Sequence, residues 1–227
     1  MKKHFGLATA VVVCVSAGAF GAVSWTNPNG LADNFDWNNG QNSDTNYFDS
    51  PLYFGGDELW FFSNFDVSSP GGDTSKADTL DVDLTAKNSM KFTNVEILVY
   101  GDYSITDPNQ TGLNSVKSQF DMTGTKLGHG NSPWSDGFVF TTNVPAPPAT
   151  PWNDSAALSA LSVAFPDVTD IHMSVTGSTL VVSDGQGGTA AMTANIQWMQ
   201  MKFTLIPEPA SLALLALGGL VALRRRC

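Results

Sequence analysis

Leu80-Asp81-Val82-Asp83-Leu84 alternates aliphatic and acidic side chains without a break. Successive side chains of a strand point to opposite faces, so this stretch predicts a half-exposed β-strand, aliphatics inward and carboxylates outward. The same signature spreads outward from it. In the run Phe92–Tyr100, Val95, Ile97 and Val99 fall on one face and Leu98 and Tyr100 on the other, which predicts a central strand. Leu59-Trp60-Phe61-Phe62 follows the turn signal Gly55-Gly56-Asp57 and has the continuous apolar character of a fully buried strand. Gln119–Thr123 and Phe138–Thr142 are shorter candidates. Thr193–Leu205 is a long one, carrying Ile196, Trp198, Met199, Met201, Phe203 and Leu205. Ile171, Met173 and Val175 alternate with His172, Ser174 and Thr176. Gly177-Ser178 then has the form of a type II′ hairpin loop leading into Thr179-Leu180-Val181-Val182.

One segment predicts a helix. Asn153-Asp154-Ser155 offers capping side chains ahead of Ala156-Ala157-Leu158-Ser159-Ala160-Leu161, and Pro166 closes it. The prolines from Pro145 to Pro151 precede it as a rigid surface connection. Many short strands, frequent turn residues and one short helix predict an all-β fold, an antiparallel β-sandwich that is jelly-roll-like. The alternative is a right-handed β-helix. It is motivated by Trp25-Thr26, Phe35-Asp36-Trp37-Asn38 and Phe54-Gly55-Gly56-Asp57, which resemble the Trp-rich opening of autotransporter-associated β-strand repeats. No second copy of that pattern occurs, and a solenoid needs stacked repeats to bury its faces.

The two ends read differently from the body. Lys2 and Lys3, an apolar stretch from Phe5 to Val15 and the small residues Ala17-Gly18-Ala19 have the layout of a secretory signal peptide, assigned to residues 1–22. Cys14 is apolar filling within it. At the other end, Pro207-Glu208-Pro209 precedes an uncharged, Leu- and Ala-rich stretch from Ala210 to Leu223 and then Arg224-Arg225-Arg226-Cys227. The apolar stretch is shorter than the roughly 20 residues that span a bilayer comfortably. The arginines stay on the cytoplasmic side and orient it, leaving the body outside. Pro207 and Pro209 exclude a helix interior and mark a stiff break before it. Order and spacing resemble the PEP-CTERM sorting signal of exported bacterial proteins. That resemblance implies handling by an exosortase, a membrane transpeptidase acting near the Pro-Glu-Pro, in Gram-negative-type bacteria that make an exopolysaccharide or biofilm matrix. The partners it implies are the exosortase and secretion machinery, with transient membrane insertion through the tail.

Between the ends, residues 23–206 are expected to form a single β-rich domain. Both cysteines, Cys14 and Cys227, lie outside it, so it forms no disulfide. The chain's net charge is −10. The body is more acidic still, because five of the basic residues belong to the terminal signals and only Lys76, Lys87, Lys91, Lys117, Lys126 and Lys202 remain. Such a surface repels nucleic acid phosphates.

Aromatic rings stack on the apolar face of a pyranose, so Trp and Tyr beside Asn and Asp are what a carbohydrate module needs. Trp25, Trp37, Tyr47, Tyr53 and Trp60, with Asn38, Asn39 and Asp57 among them, supply that set, although large aromatics are ordinarily core residues. Trp37 and Tyr47, expected in polar loops, are the better sugar contacts, with Asn38 and Asp57 as polar partners. Asp33 with Asp36, Asp73 with Asp78, and Asp81 with Asp83 offer oxygens that suit calcium, but none forms an EF-hand loop, and solvated Asp is usual in turns. No other cofactor is implied. His129 and His172 stand in no nucleophile–base frame, and ligands at zinc spacing are lacking. Two-carboxylate glycoside hydrolysis, with Asp57 and Glu58 available, is the least favoured reading. The expectation is a non-catalytic protein of the cell envelope, outer surface or biofilm matrix, structural or adhesive. A polysaccharide-binding, lectin-like module is the alternative and a glycan-cleaving enzyme the third.

Overall fold

Leu80, Val82 and Leu84 are fully buried, as their alternation predicts, while Asp81 and Asp83 face outward between neighbouring strands. The computed structural model describes residues 22–43, 45–69, 72–107, 112–129, 133–182 and 191–208. The signal-peptide residues Lys2 to Ala19, and Pro209, Arg224, Arg225 and Arg226 of the tail, lie outside the described residues.

The strands in chain order are β1 (Val23–Ser24), β2 (Gly30–Leu31), β3 (Phe35–Asn42), β4 (Glu58–Phe61), β5 (Val67–Ser69), β6 (Thr74–Ala86), β7 (Met90–Thr106), β8 (Ser115–Lys126), β9 (Trp134–Thr142), β10 (Ala146–Leu158), β11 (Asp170–Val182) and β12 (Ala191–Pro207), with α1 (Leu161–Ala164) between β10 and β11. One sheet runs β1-β3-β6-β11-β8-β9, with β2 also paired to β3. The other runs β10-β7-β12-β4, with β5 also paired to β12. From β6 onward the chain crosses between sheets at every step except the β8–β9 hairpin, the interleaving expected of a jelly-roll-like sandwich. All pairings among the described residues are antiparallel, which rules out the parallel coils of a β-helix.

The inner faces meet in an aromatic-rich core. Phe35, Phe48, Phe61, Phe65, Phe92 and Phe120 are fully buried, each contributing about 1.5–3 kcal/mol by leaving water. Phe35 and Phe203 meet at 4.6 Å across the sheets, and Phe140 stacks on Trp152 at 4.7 Å.

Four local expectations are corrected. Gly177-Ser178 is no hairpin: β11 runs unbroken through it, paired with β6 on one side and β8 on the other. The glycine is there for room, since a Cβ at Gly177 would lie 2.8 Å from Phe120 Cε1 and 2.9 Å from Phe48 Cζ. Ala156–Leu158 is strand, and the helix is the single turn α1. Trp152, Ala156 and Leu158 alternate into the core, and pairing with β7 overrides the local helical preference. The preceding prolines belong to β10 itself, an edge strand with a register shift between Ala146 and Thr150, where proline is tolerated. Leu59-Trp60-Phe61-Phe62 is not buried throughout: Leu59 and Phe61 face the core, Trp60 is half-buried on the other face, and Phe62 is exposed.

β12 contains the feature that shapes the second sheet's outer surface. Met192, Ala194 and Ile196 point inward, and so do Met199, Met201 and Phe203. Strict alternation cannot place both sets on one face. A bulge between Ile196 and Trp198 makes the switch, leaving Gln197 as the extra residue.

Candidate functional site

The bulge sets Trp198 opposite Tyr100 of β7, both on the outer face of the β10-β7-β12-β4 sheet. Their rings lie 5.5 Å apart and 10° from parallel. Trp60, carried by β4 on the same face, approaches Trp198 at 5.1 Å, and Phe54 meets Trp60 edge-on at 6.5 Å. Four aromatic rings thus form a continuous strip across three strands and the loop before β4. Phe54, at its end, is 69 % exposed.

Polar groups frame this strip. Gln200 lies between Leu98 and Trp60 in register. Its amide Nε2 donates to Glu58 Oε2 at 2.6 Å, and the Trp60 indole Nε1 donates to the same oxygen at 3.3 Å. The carboxylate therefore holds both the amide and the ring in place. On the other side, Asn153 and Ser155 of β10 stand opposite Tyr100 and Leu98. A depression of about 320 Å³ opens between Leu98, Asn153, Ser155 and Trp198, and another of about 250 Å³ between Tyr100, Pro151 and Asn153. Gln197 donates to Asp102 at 2.7 Å just beyond. The opposite sheet carries a groove of about 420 Å³ between Lys76, Lys117, Gln119 and Thr176, without exposed aromatics in its lining.

The residues singled out in the sequence are not gathered here. Trp37 lies in β3, not in a polar loop; it is 6 % exposed, with its ring against Gly30 and its Nε1 donating to Asn27 O at 3.4 Å. Asn38 points away from Trp37 on the same strand, half-buried. Tyr47 packs on Phe65 at 5.4 Å with Lys76 Nζ over its ring. Asp57 accepts from Asn34 Nδ2 at 3.1 Å through both oxygens. Of that aromatic set, Trp60 alone contributes to the exposed strip. In the sequence Tyr100 and Trp198 register only as strand residues. Their signal is an aromatic side chain on the strand face opposite the buried aliphatics.

The acidic pairs have other partners. Asp36 is 2.9 Å from Lys87 Nζ. The Asp33 backbone N–H donates to the Tyr53 hydroxyl at 2.9 Å, and that hydroxyl donates to Gly56 O. Loss of solvent pushes the Tyr53 phenol above its usual range, an effect the Asp33 backbone bond opposes and the Asp33 and Asp57 carboxylates reinforce. Asp78 is buried and accepts from Ser43 Oγ, Tyr47 N and Thr79 N, each at 2.8 Å, so it anchors the loop after β3 to β6. Asp83 and Asp81 face opposite nitrogens of His172: Nδ1 is 2.8 Å from Asp83 Oδ1 and Nε2 is 3.7 Å from Asp81 Oδ1. Asn39 Nδ2 donates to the second Asp83 oxygen at 2.7 Å. Among the described residues, no three His, Asp or Glu side chains group as a metal-holding set.

β12 continues to Pro207, opposite Met90, and the Glu208 N–H donates to Ser89 O at 2.7 Å. Pro207 cannot donate to the ladder and sits at the strand's end, where this costs least. No helix among the described residues is long and apolar enough to cross a membrane; the apolar stretch 210–223 lies outside them.

No curated protein matches the chain. Residues 205–226 match the family model of the PEP-CTERM protein-sorting motif. The tail of this β-sandwich protein is therefore a PEP-CTERM sorting motif, which marks the chain as an exported, exosortase-sorted protein of the cell envelope.

Proposed function

We propose that the exported sandwich is a non-catalytic, adhesive component of the cell envelope and extracellular matrix, and that it makes contact through the outer face of the β10-β7-β12-β4 sheet. The observation that carries this reading is the aromatic strip Tyr100–Trp198–Trp60–Phe54 on the outer face, in which Phe54 is exposed and the other three rings are half-buried. Soluble proteins seldom leave contiguous aromatic surface open unless it meets something. Two features favour binding over catalysis. Both nitrogens of His172 are turned to carboxylates rather than to a hydroxyl nucleophile, and Glu58 is occupied as the acceptor for Gln200 and Trp60.

The test is cell fractionation combined with an adhesion assay in cells that make or lack the full chain. The protein should be recovered in the envelope and outer fractions, and its loss should reduce retention of cells on a matrix-coated surface. A full-length cytoplasmic product, or unchanged retention without the protein, contradicts the proposal.

A further inference from the structure

We propose that the outer face of the β10-β7-β12-β4 sheet binds a neutral polysaccharide chain laid across the strands, with sugar rings packed against Trp198 and Trp60 and hydroxyls met by Asn153, Ser155 and Glu58. This rests on the reading of that face as the contact surface and names its ligand. Three observations select this chemistry.

The first is the mixture of side chains. A face built to pack on another protein's apolar core would be apolar throughout. Here Trp60 is in register with Gln200 and Leu52, Tyr100 with Asn153, and the neighbouring Leu98 with Gln200 and Ser155, so apolar and hydrogen-bonding groups alternate along the face. A pyranose has one apolar C–H face and an equatorial fringe of hydroxyls, so ring and amide side by side match it.

The second is preorganisation. Glu58 holds Gln200 and the Trp60 indole at 2.6 Å and 3.3 Å, so little side-chain freedom remains to be lost on binding. The carboxylate keeps further lone pairs, which accept from hydroxyl donors.

The third is charge. Glu58 and Glu96 flank Lys202 in register, and Asp102 and Asp154 lie on neighbouring positions, in a body of net negative charge. An anionic polymer would meet this rim with like charge, whereas a neutral one pays no such penalty. The depressions on the two sides of Asn153, one bounded by Trp198 and one by Tyr100, give an extended chain successive seats.

Affinity electrophoresis of the purified full chain in detergent tests this, using native gels cast with a soluble neutral glucan, mannan or galactan and, in parallel, with the anionic polymer alginate. At least one neutral polymer should retard the protein. Trp198→Ala and Phe54→Ala should each weaken retardation at least fivefold, with circular dichroism unchanged, and Trp198→Tyr should retain most of it. Phe54 is exposed enough that its removal leaves folding intact, so a poorly folded Trp198 variant does not spoil the test. Retardation by alginate alone, by no polymer, or as strong in both alanine variants as in the wild type overturns the inference. If cells still lose adhesion without the protein while no neutral polymer binds, the adhesive role stands and its glycan ligand falls.

Discussion

Trp198 of β12 faces Tyr100 of β7 across the strand pair, with the two rings 5.5 Å apart and 10° from parallel. Such pairs contribute about 0.5–1.5 kcal/mol beyond their area. A double-mutant cycle with Tyr100→Ala and Trp198→Ala, read by urea denaturation, should return a coupling energy of about that size. Additive losses would mean that the rings do not hold each other in place.

Asp78 of β6 joins the loop after β3 through two bonds of 2.8 Å, from Ser43 Oγ and Tyr47 N, and also accepts from Thr79 N at 2.8 Å. Asp78→Ala strands those donors and should cost about 1–3 kcal/mol. Asp78→Asn keeps one acceptor oxygen and should cost less. If the two substitutions destabilise equally in urea melts, the carboxylate's acceptor role is not what matters.

Gly177 gives up its side chain so that Phe120 and Phe48 can cross over it. Both rings are fully buried, so neither can move aside cheaply. Gly177→Ala should lower stability by about 1–3 kcal/mol, the usual range for overpacking. Thr176→Ala, next to it on the exposed face, should change stability little. A neutral Gly177→Ala in a thermal melt would contradict the close approach.

That glycine shows where the sequence was legible and where it was not. Alternation over Leu80–Leu84 and Val95–Val99 is a local property, and the strands it predicts are present with the expected residues buried. Gly177 needs its hydrogen only because Phe48, from the loop after β3, and Phe120, from β8, arrive from far along the chain, so locally it resembles a turn. Ala156-Ala157-Leu158 has helical composition, and only pairing with β7 makes it strand. The aromatic strip was the least legible feature. Trp60, Tyr100 and Trp198 come from three strands, and the Ile196/Trp198 bulge that aligns two of them leaves no composition signal. By contrast the sorting motif is contiguous, so order and spacing alone identified it.

Tyr53 predicts a pH dependence at the alkaline end. Its phenol is raised from 10.0 in the folded protein, chiefly by loss of solvent. The folded state therefore holds this proton to higher pH than the unfolded chain does. Stability from this group is complete below about pH 10 and is lost as pH rises through the folded value. Thermal midpoints recorded from pH 8 to pH 11 should fall more steeply for the wild-type chain than for Tyr53→Phe. Parallel curves would place the alkaline loss elsewhere.

If the exported sandwich adheres through its aromatic outer face, cells should lose their hold when the rings are removed. The most direct measurement is retention on a matrix-coated surface of cells carrying equal envelope amounts of the wild-type chain or of the Trp60→Ala/Trp198→Ala double variant. At least a fivefold drop in retained cells is expected for the double variant, with Lys117→Ala on the opposite sheet indistinguishable from wild type. Equal retention by the double variant and the wild type, at matched surface levels, would contradict it.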